Sequence, residues 1–167
     1  DLLLEMLHLQ LQVLHVDDGR ADGPRRRRAV DLRGRDRLRL GDGLRHVNAK
    51  RVAVATAYTD IVTERLKVFL TEHGFDVLAT KGLGYERIPE GAATQEILIN
   101  LGKEAYKLAG KADALVMSCG GLRTLDVIVP LEKAIGVPVV SSTPHGLWHC
   151  ARMLKLPTKI DGFGMVM

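Results

Sequence analysis

Residues 112–126 read Ala-Asp-Ala-Leu-Val-Met-Ser-Cys-Gly-Gly-Leu-Arg-Thr-Leu-Asp, and this stretch decides the fold class. The apolar residues 114–117 predict a buried strand, and a helical pattern begins after the glycines. Cys119 therefore follows the carboxyl end of a predicted parallel strand, where open α/β sheets place their binding sites. Gly120 and Gly121 allow backbone N–H groups to approach an anion closely. A thiol in this position can donate a proton, attack as a nucleophile or act as a redox centre.

The sequence around this stretch alternates strand and helix patterns. Strands are predicted at residues 51–57, 75–79, 114–118 and 137–140. Helices are predicted at 60–73, 93–109 and 146–154, with one more that has Pro130 in its first turn and ends at Gly136. Residues 81–91 contain three glycines and a proline and are predicted to form a loop. The β-α-β-α-β-α-β-α order predicts an α/β fold with a parallel four-stranded sheet and helices on both faces.

The composition changes near residue 43, which predicts two regions, 1–42 and 43–167. Residues 1–50 hold eleven Lys and Arg against eight acids, and 25–28 are four consecutive arginines, whereas the rest is nearly neutral. The first region is an atypical basic segment. It is interpreted as a disordered tail or as sequence outside the native reading frame, in preference to a basic arm for nucleic acid or anionic membrane.

The bulk composition limits the class of protein. The 167 residues are 46% apolar, which allows a buried core, and the net charge is +4. Two cysteines, Cys119 and Cys150, indicate neither a disulfide framework nor a zinc site. Apolar runs stay well short of the roughly 18 residues of a membrane span. We therefore expect a cytoplasmic protein without metal or membrane association.

Four stretches between residue 43 and the carboxyl terminus carry a resemblance to a known family. They are Gly43-Leu44-Arg45 with Arg51-Val-Ala-Val-Ala-Thr-Ala-Tyr58, Glu64-Arg65-Leu66 with Phe69-Leu70, Ser118-Cys119-Gly120-Gly121-Leu122 with Thr124-Leu125-Asp126, and Gly136-Val-Pro-Val-Val-Ser-Ser142 with Pro144, Gly146 and Trp148. Together they resemble the carboxyl-terminal half of arylmalonate decarboxylases. These enzymes belong to the aspartate/glutamate racemase superfamily, as do maleate isomerases and hydantoin racemases. The cysteine loop favours the decarboxylases over the maleate isomerases.

The resemblance implies a half of a pseudo-symmetric two-domain fold, with the active site in the cleft between the domains. It also implies catalysis without a metal or organic cofactor: a disubstituted malonate loses one carboxylate, and a single cysteine protonates the resulting enediolate. By position, Cys119 is the proton donor. Tyr58 and the backbone of Gly120 are oxyanion- and substrate-binding groups. Ser118 and Thr56 are further candidates, with bonding to local backbone groups as the alternative for both.

The sequence departs from the family in one respect. No Gly-Thr-Ser stretch matches the Thr-Ser pair of the family's first domain, and residues 1–42 are too short for that domain. We therefore expect the partners to be a dicarboxylate substrate and either a complementing amino-terminal half or a second copy of the chain. The alternative functions are a racemase or cis–trans isomerase of the same superfamily, and a non-catalytic binding module that uses the basic arm.

Other residue patterns favour structural roles. Cys150 is expected to pack beside Trp148. His145 and His149 share a helical face at metal-binding spacing, but solvent-facing histidines are the preferred interpretation because a third ligand is not evident. Ser141 and Ser142 end a strand, where they line the cleft or cap the next helix. Leu83 and Ile88 are expected to supply apolar wall near the cleft.

Overall fold

A computed structural model describes residues 40–167, and the prediction for residues 1–39 lies outside this part of the chain. After a helical segment at residues 40–46, four strands and four helices alternate. They are β1 (Arg51–Tyr58), α1 (Asp60–Glu72), β2 (Asp76–Tyr85), α2 (Gln95–Ala109), β3 (Ala114–Ser118), α3 (Leu125–Ile135), β4 (Val139–Ser141) and α4 (Ser142–Met153). Among these residues no helix has the length and apolarity needed to span a membrane.

The four strands form one parallel sheet in the order β2-β1-β3-β4, which confirms the predicted α/β fold. The chain runs from β1 outward to β2 and then returns past β1 to β3. The topological switch point therefore lies between the carboxyl ends of β1 and β3. Tyr58 ends β1, and Cys119 directly follows β3. The strand order thus places both residues at the edge where open α/β sheets form binding crevices.

Alternate residues of the strands point to opposite faces, and each face is covered by helices. One core cluster joins β1, β3 and β4 to α2 and α3; its buried residues include Ala53, Ala55, Leu115, Met117, Leu98, Leu101 and Leu131. The other joins the opposite face to α1, α4 and the 40–46 segment; it includes Val52, Val54, Val116, Val140, Leu70, Trp148 and Leu44. The prediction of helices on both faces is confirmed.

The prediction of a loop at residues 81–91 is wrong for residues 81–85. Strand β2 continues to Tyr85, which pairs with Tyr58, so the glycines at 82 and 84 lie inside the strand. Between the pairs Thr56–Gly82 and Tyr58–Tyr85 the second strand has one extra residue, and Gly84 has a φ of +78°. This is a β-bulge with glycine in a left-handed conformation, and the sequence pattern of such a bulge resembles that of a loop.

The prediction that Pro130 lies in the first turn of its helix is also wrong. Helix α3 begins at Leu125, five residues before the proline. Pro130 has no N–H for the carbonyl of Asp126, and the side chain of Gln95 donates to that carbonyl instead, across 2.8 Å. Helix α4 likewise begins at Ser142, four residues before the predicted start.

The amino end of the sheet is held by an ion pair. Arg51 Nη2 lies 2.7 Å from Asp113 Oδ1, and Asp113 Oδ2 accepts from the backbone N–H groups of Arg51 and Lys50. The side-chain and backbone hydrogen bonds of Arg51 hold the pKa of Asp113 far below its usual range. This polar cluster connects β1 to the turn before β3, at the edge opposite Cys119.

The carboxyl-terminal residues are anchored to the domain by a buried carboxylate. Glu132 of α3 accepts from the N–H of Val139 and, across 3.0 Å, from the N–H of Met165. Burial raises the pKa of Glu132, and these N–H groups oppose that rise. Val166, next to Met165, is buried in the core cluster that contains Trp148 of α4.

Candidate active site

Cys119 lies in the loop that connects β3 to α3, with only 6% of its surface exposed. The N–H of Leu122 donates to the carbonyl of Cys119 across 3.1 Å, which closes the loop into a tight turn. Within this turn, the N–H groups of Gly121 and Leu122 form hydrogen bonds toward the thiol. Neither residue was among the predicted site residues, although the pair Gly120–Gly121 was expected to let backbone N–H groups approach an anion. The signal for them was the glycine pair, which allows the turn.

Burial has the largest effect on the pKa of the Cys119 thiol, and it raises that pKa. The N–H groups of Gly121 and Leu122 and the hydroxyl of Tyr58 oppose this rise by stabilising the thiolate. The thiol consequently keeps its proton at neutral pH, and groups that can bind the thiolate are already in place around it. This combination suits a group that donates a proton and then recovers it.

Tyr58 is half-buried beside Cys119, and burial raises the pKa of its phenol. The charge of a Cys119 thiolate would raise it further, whereas hydrogen bonds from Ser118 and from the backbone of Gly120 lower it. The phenol therefore remains protonated and is a hydrogen-bond donor at neutral pH. The structure thus brings together Tyr58, Ser118, Cys119 and Gly120, four of the five residues predicted for the site.

Thr56, the fifth predicted residue, is fully buried, and its hydroxyl forms a 2.8 Å hydrogen bond with the hydroxyl of Thr63 on α1. It is the sheet neighbour of Ser118, but its side chain connects the strand to the helix. Ser118 has a different partner, because the hydroxyl of Ser142 donates to Ser118 Oγ across 3.2 Å. Ser141 does not cap α4 with its side chain, and its Oγ lies 2.6 Å from that of Thr124.

Apolar residues from β2 and the following loop lie beside Cys119. A methyl group added at Gly121 would lie 3.5 Å from Ile88 Cδ1 and 4.0 Å from Cys119 Sγ. Ile88 and the thiol therefore border the same small space. Leu83, Ile88 and Tyr85 all pack against the core cluster that contains Cys119. Tyr85 was missed from the sequence because the bulge in β2 was not recognised.

The solvent-facing prediction for His145 is wrong. This residue is 1% exposed, and its Nδ1 lies 2.8 Å from the nitrogen and 2.9 Å from the oxygen of Ser141. Burial lowers the pKa of His145 to about 4, so its ring is neutral. His149 is partly buried and contacts Asp42 across 3.2 Å. Residues 40–167 contain no group of three His, Cys, Asp or Glu side chains arranged to hold a metal ion.

Comparisons with known proteins are consistent with this geometry. The profile of the arylmalonate decarboxylase family matches residues 39–167. An arylmalonate decarboxylase of Bordetella bronchiseptica is 42% identical over 113 residues, which are 67% of this chain and 47% of that protein. A crystal structure of an arylmalonate decarboxylase superposes with a TM-score of 0.70 at 37% identity, over 78% of this chain and 57% of the other.

A maleate isomerase of Nocardia farcinica (strain IFM 10152) is a more distant relative, 29% identical over 134 residues, or 77% of this chain and 51% of that protein. The chain thus spans about half the length of the curated relatives it matches. The family profile covers more than three quarters of the sequence and includes every predicted site residue. This chain belongs to the arylmalonate decarboxylase family.

Proposed function

We propose that this chain supplies the proton-donating half of a cofactor-independent decarboxylase for arylmalonates. The observation that carries the proposal is the position of the Cys119 thiol, which is buried at the carboxyl end of β3, next to the end of β1 where Tyr58 lies, with burial raising its pKa. A donor that must release a proton to carbon benefits from being protonated at the working pH and from groups that stabilise its conjugate base. The family membership supports a carbon–carbon lyase.

The proposed reaction has two steps. The bond between the α-carbon and one carboxylate breaks, CO2 leaves, and the electron pair remains as an enediolate on the α-carbon and the retained carboxylate. The S–H of Cys119 then gives its proton to the α-carbon, and the resulting thiolate regains a proton from water. Donors that bind the enediolate oxygens lower the barrier of the first step, as in an oxyanion hole.

The residues around Cys119 divide these tasks. While Cys119 still carries its proton, the Tyr58 hydroxyl is the proposed donor to the enediolate, and the N–H of Gly120 holds the Tyr58 oxygen in place. Ile88 and Leu83 offer an apolar surface on the same side. Such a surface leaves the departing carboxylate poorly solvated, and this cost disappears when its charge is lost as CO2. The proposed substrate class is therefore an aryl-substituted malonate dicarboxylate.

We further propose that the residues described above form one wall of the cleft and that activity requires a second wall. The chain spans about half the length of its relatives, and the sequence lacks a Gly-Thr-Ser stretch for the opposite wall. A complementing amino-terminal half is the preferred partner, and a second copy of this chain is the alternative. Both cysteines are free thiols, which is consistent with a cytoplasmic location.

A maleate cis–trans isomerase is the second candidate, because a maleate isomerase is also a relative. A racemase of the superfamily is a further variant of this alternative. The greater identity to the decarboxylase, 42% against 29%, favours the first proposal. Substrate choice separates the candidates, because an isomerase converts maleate to fumarate and releases no CO2 from phenylmalonate.

The experiment measures CO2 release from phenylmalonate by the full chain, alone and mixed with the segment of the Bordetella bronchiseptica relative that lies outside the match. Cys119→Ala should abolish turnover, whereas Cys150→Ser, a change at the other free thiol, should leave it nearly unchanged. Equal CO2 release by Cys119→Ala and the unmodified chain would rule out Cys119 as the donor. Conversion of maleate without any CO2 release would instead establish the isomerase.

A further inference from the structure

A buried pair of hydroxyl groups joins the far end of the Cys119 loop to β4. Thr124 lies between this loop and α3, and Ser141 is the last residue of β4. Thr124 Oγ1 lies 2.6 Å from Ser141 Oγ, the distance of a short hydrogen bond between hydroxyl groups. Thr124 is 2% exposed and Ser141 is 1% exposed, so water has no access to replace this bond if either hydroxyl is lost.

Backbone hydrogen bonds extend from Thr124 to Cys119. The N–H of Thr124 donates to the carbonyl of Leu122, and the N–H of Leu122 donates to the carbonyl of Cys119, each across 3.1 Å. The carbonyl of Thr124 accepts from the N–H groups of Val127 and Ile128 across 3.0 and 3.1 Å, in the first turn of α3. Thr124 is therefore the residue at which the turns of the loop meet the helix, and a bond that fixes its side chain also fixes the end of the loop.

Ser141 is a firmly held partner for Thr124. It pairs in the sheet with Met117, two residues before Cys119. Its backbone nitrogen and oxygen lie 2.8 and 2.9 Å from Nδ1 of His145, a residue that is itself buried. Ser141 therefore has little freedom to follow a displaced loop, and its hydroxyl defines one position for Thr124.

The near end of the loop has a similar contact. The hydroxyl of Ser142 donates to Ser118 Oγ across 3.2 Å, and Ser118 directly precedes Cys119. Two consecutive serines at the junction of β4 and α4 thus contact the loop on both sides of the thiol, Ser142 before it and Ser141 after it. The contact made by Ser141 is the shorter and the more completely buried of the two, so it is the stronger restraint.

We infer that Ser141 is a positioning residue, which fixes the loop of Cys119 through the hydroxyl of Thr124 and so holds the thiol where it meets the substrate. This role rests on the proposed function. From the sequence, Ser141 was expected to line the cleft or to cap α4, and the contact with Thr124 gives it a different task. Proton transfer to carbon requires a donor within hydrogen-bond reach of its target, and a small displacement of a reacting group slows such a step strongly. Cys119 alone gives the proton, and Ser141 acts only through Thr124.

The test measures access to the thiol and needs no substrate. The full chain is alkylated with iodoacetamide at pH 8, and the rates at Cys119 and Cys150 are followed separately by mass spectrometry of their tryptic peptides. Ser141→Ala should raise the Cys119 rate by about fivefold, the factor by which loss of a typical hydrogen bond shifts a local opening equilibrium. The rate at Cys150, which lies outside the loop, should stay the same.

Changes at Thr124 separate the hydrogen bond from the packing of the side chain. Thr124→Val keeps the shape and removes the hydroxyl, so it should raise the Cys119 rate as much as Ser141→Ala does. Thr124→Ser keeps the hydroxyl and should retain a rate close to the original. In a Thr124→Val background the bond is already lost, so Ser141→Ala should have no further effect.

Gly102→Ala is the control for a loss of global stability. A Cβ at Gly102 would lie 2.4 Å from Leu131 Cδ2, so this change strains the core and leaves the bond between Ser141 and Thr124 in place. Opening of the loop alone does not relieve that strain, and the Cys119 rate should therefore be unchanged.

Three results would overturn the inference. They are an unchanged Cys119 rate in Ser141→Ala, a rate in Thr124→Ser as high as that in Thr124→Val, and an increase in Gly102→Ala equal to that in Ser141→Ala. Absence of decarboxylation would instead contradict the proposed function and leave this alkylation result standing.

Discussion

The side-chain nitrogen of Gln95 donates to the backbone oxygen of Asp126 across 2.8 Å, and this bond connects the start of α2 to the start of α3. The carbonyl of Asp126 would normally accept from residue 130, but Pro130 has no N–H. Gln95 thus replaces a helical hydrogen bond that the proline removes. The same contact holds the beginning of α3 close to the helix beside it.

Replacing Gln95 should therefore destabilise the protein only while the proline is present. Gln95→Ala is expected to lower the free energy of unfolding by about 1 kcal/mol, the usual net value of a hydrogen bond. In a Pro130→Ala background the backbone N–H is restored, and the same change should cost much less. Urea unfolding of the two single variants and the double variant measures this difference. An equal cost in both backgrounds would show that Gln95 acts in another way.

Gly102 marks a close contact between α2 and its neighbours. A Cβ at this position would lie 2.4 Å from Leu131 Cδ2 and 3.0 Å from Leu115 Cδ2, and both leucines are fully buried. Gly102→Ala should lower the free energy of unfolding by about 1–3 kcal/mol, because the core has no space for the methyl group. Gly146 of α4 is the matched control, since a Cβ there meets nothing within 4 Å. Gly146→Ala should stabilise the protein by roughly 0.5–1 kcal/mol through helix propensity. Destabilisation of similar size at both glycines would contradict the packing argument.

His145 should make the fold sensitive to mild acid. Its pKa is about 4 in the folded protein and near 6.5 when exposed, so between these values the unfolded chain binds the additional proton. Its contribution to stability is therefore fully present above about pH 6.5 and is lost as the pH falls toward 4, by roughly 3 kcal/mol in total. His145→Asn places an amide near the position of Nδ1 and cannot titrate in this range.

The measurement is chemical unfolding of the unmodified chain and of His145→Asn at pH 7.5, 6, 5 and 4.5. The difference in unfolding free energy between the two should change steadily across this range, and the variant should show the weaker dependence on pH. Asp113 is present in both proteins, so its contribution cancels in the difference. Its lowered pKa also moves the loss of that contribution to stronger acid. Parallel pH profiles for the two proteins would show that His145 does not titrate on unfolding.

Gly82 allows β2 to approach Tyr58 closely. A Cβ at Gly82 would lie 2.8 Å from the backbone oxygen of Tyr58, and a backbone atom in a central strand cannot easily move away. Gly82→Ala should therefore displace Tyr58, destabilise the protein by about 1–3 kcal/mol and change the alkylation rate of Cys119. Leu78→Ala, in the same strand, is the control, because it shortens an exposed side chain and leaves both the backbone contact and the wall beside Cys119 intact. Gly82→Ala with an unchanged Cys119 rate would show that Tyr58 keeps its place.

Local sequence patterns were sufficient to predict the order of the elements and the position of Cys119 after a buried strand. The strand before Cys119 is buried on both sides and is accordingly a continuous apolar run, which is readily recognised. The resemblance to the decarboxylases implied a site role for both Tyr58 and Cys119, and the strand order places them at one edge of the sheet. The boundaries of β2 and α3 were predicted wrongly, because a glycine bulge resembles a loop and a mid-helix proline resembles a helix start.

The sequence by itself determined the α/β class, which follows from short-range periodicity, and its resemblance to the decarboxylases indicated the thiol and the tyrosine of the site. Only the tertiary structure decided which hydroxyl groups meet behind that thiol and which histidine is buried. Ser142 reaches Ser118 across 24 positions of the chain, and the burial of His145 depends on packing beside Gly43, about a hundred residues earlier. Such contacts depend on how helices settle on a sheet, and no local pattern encodes them.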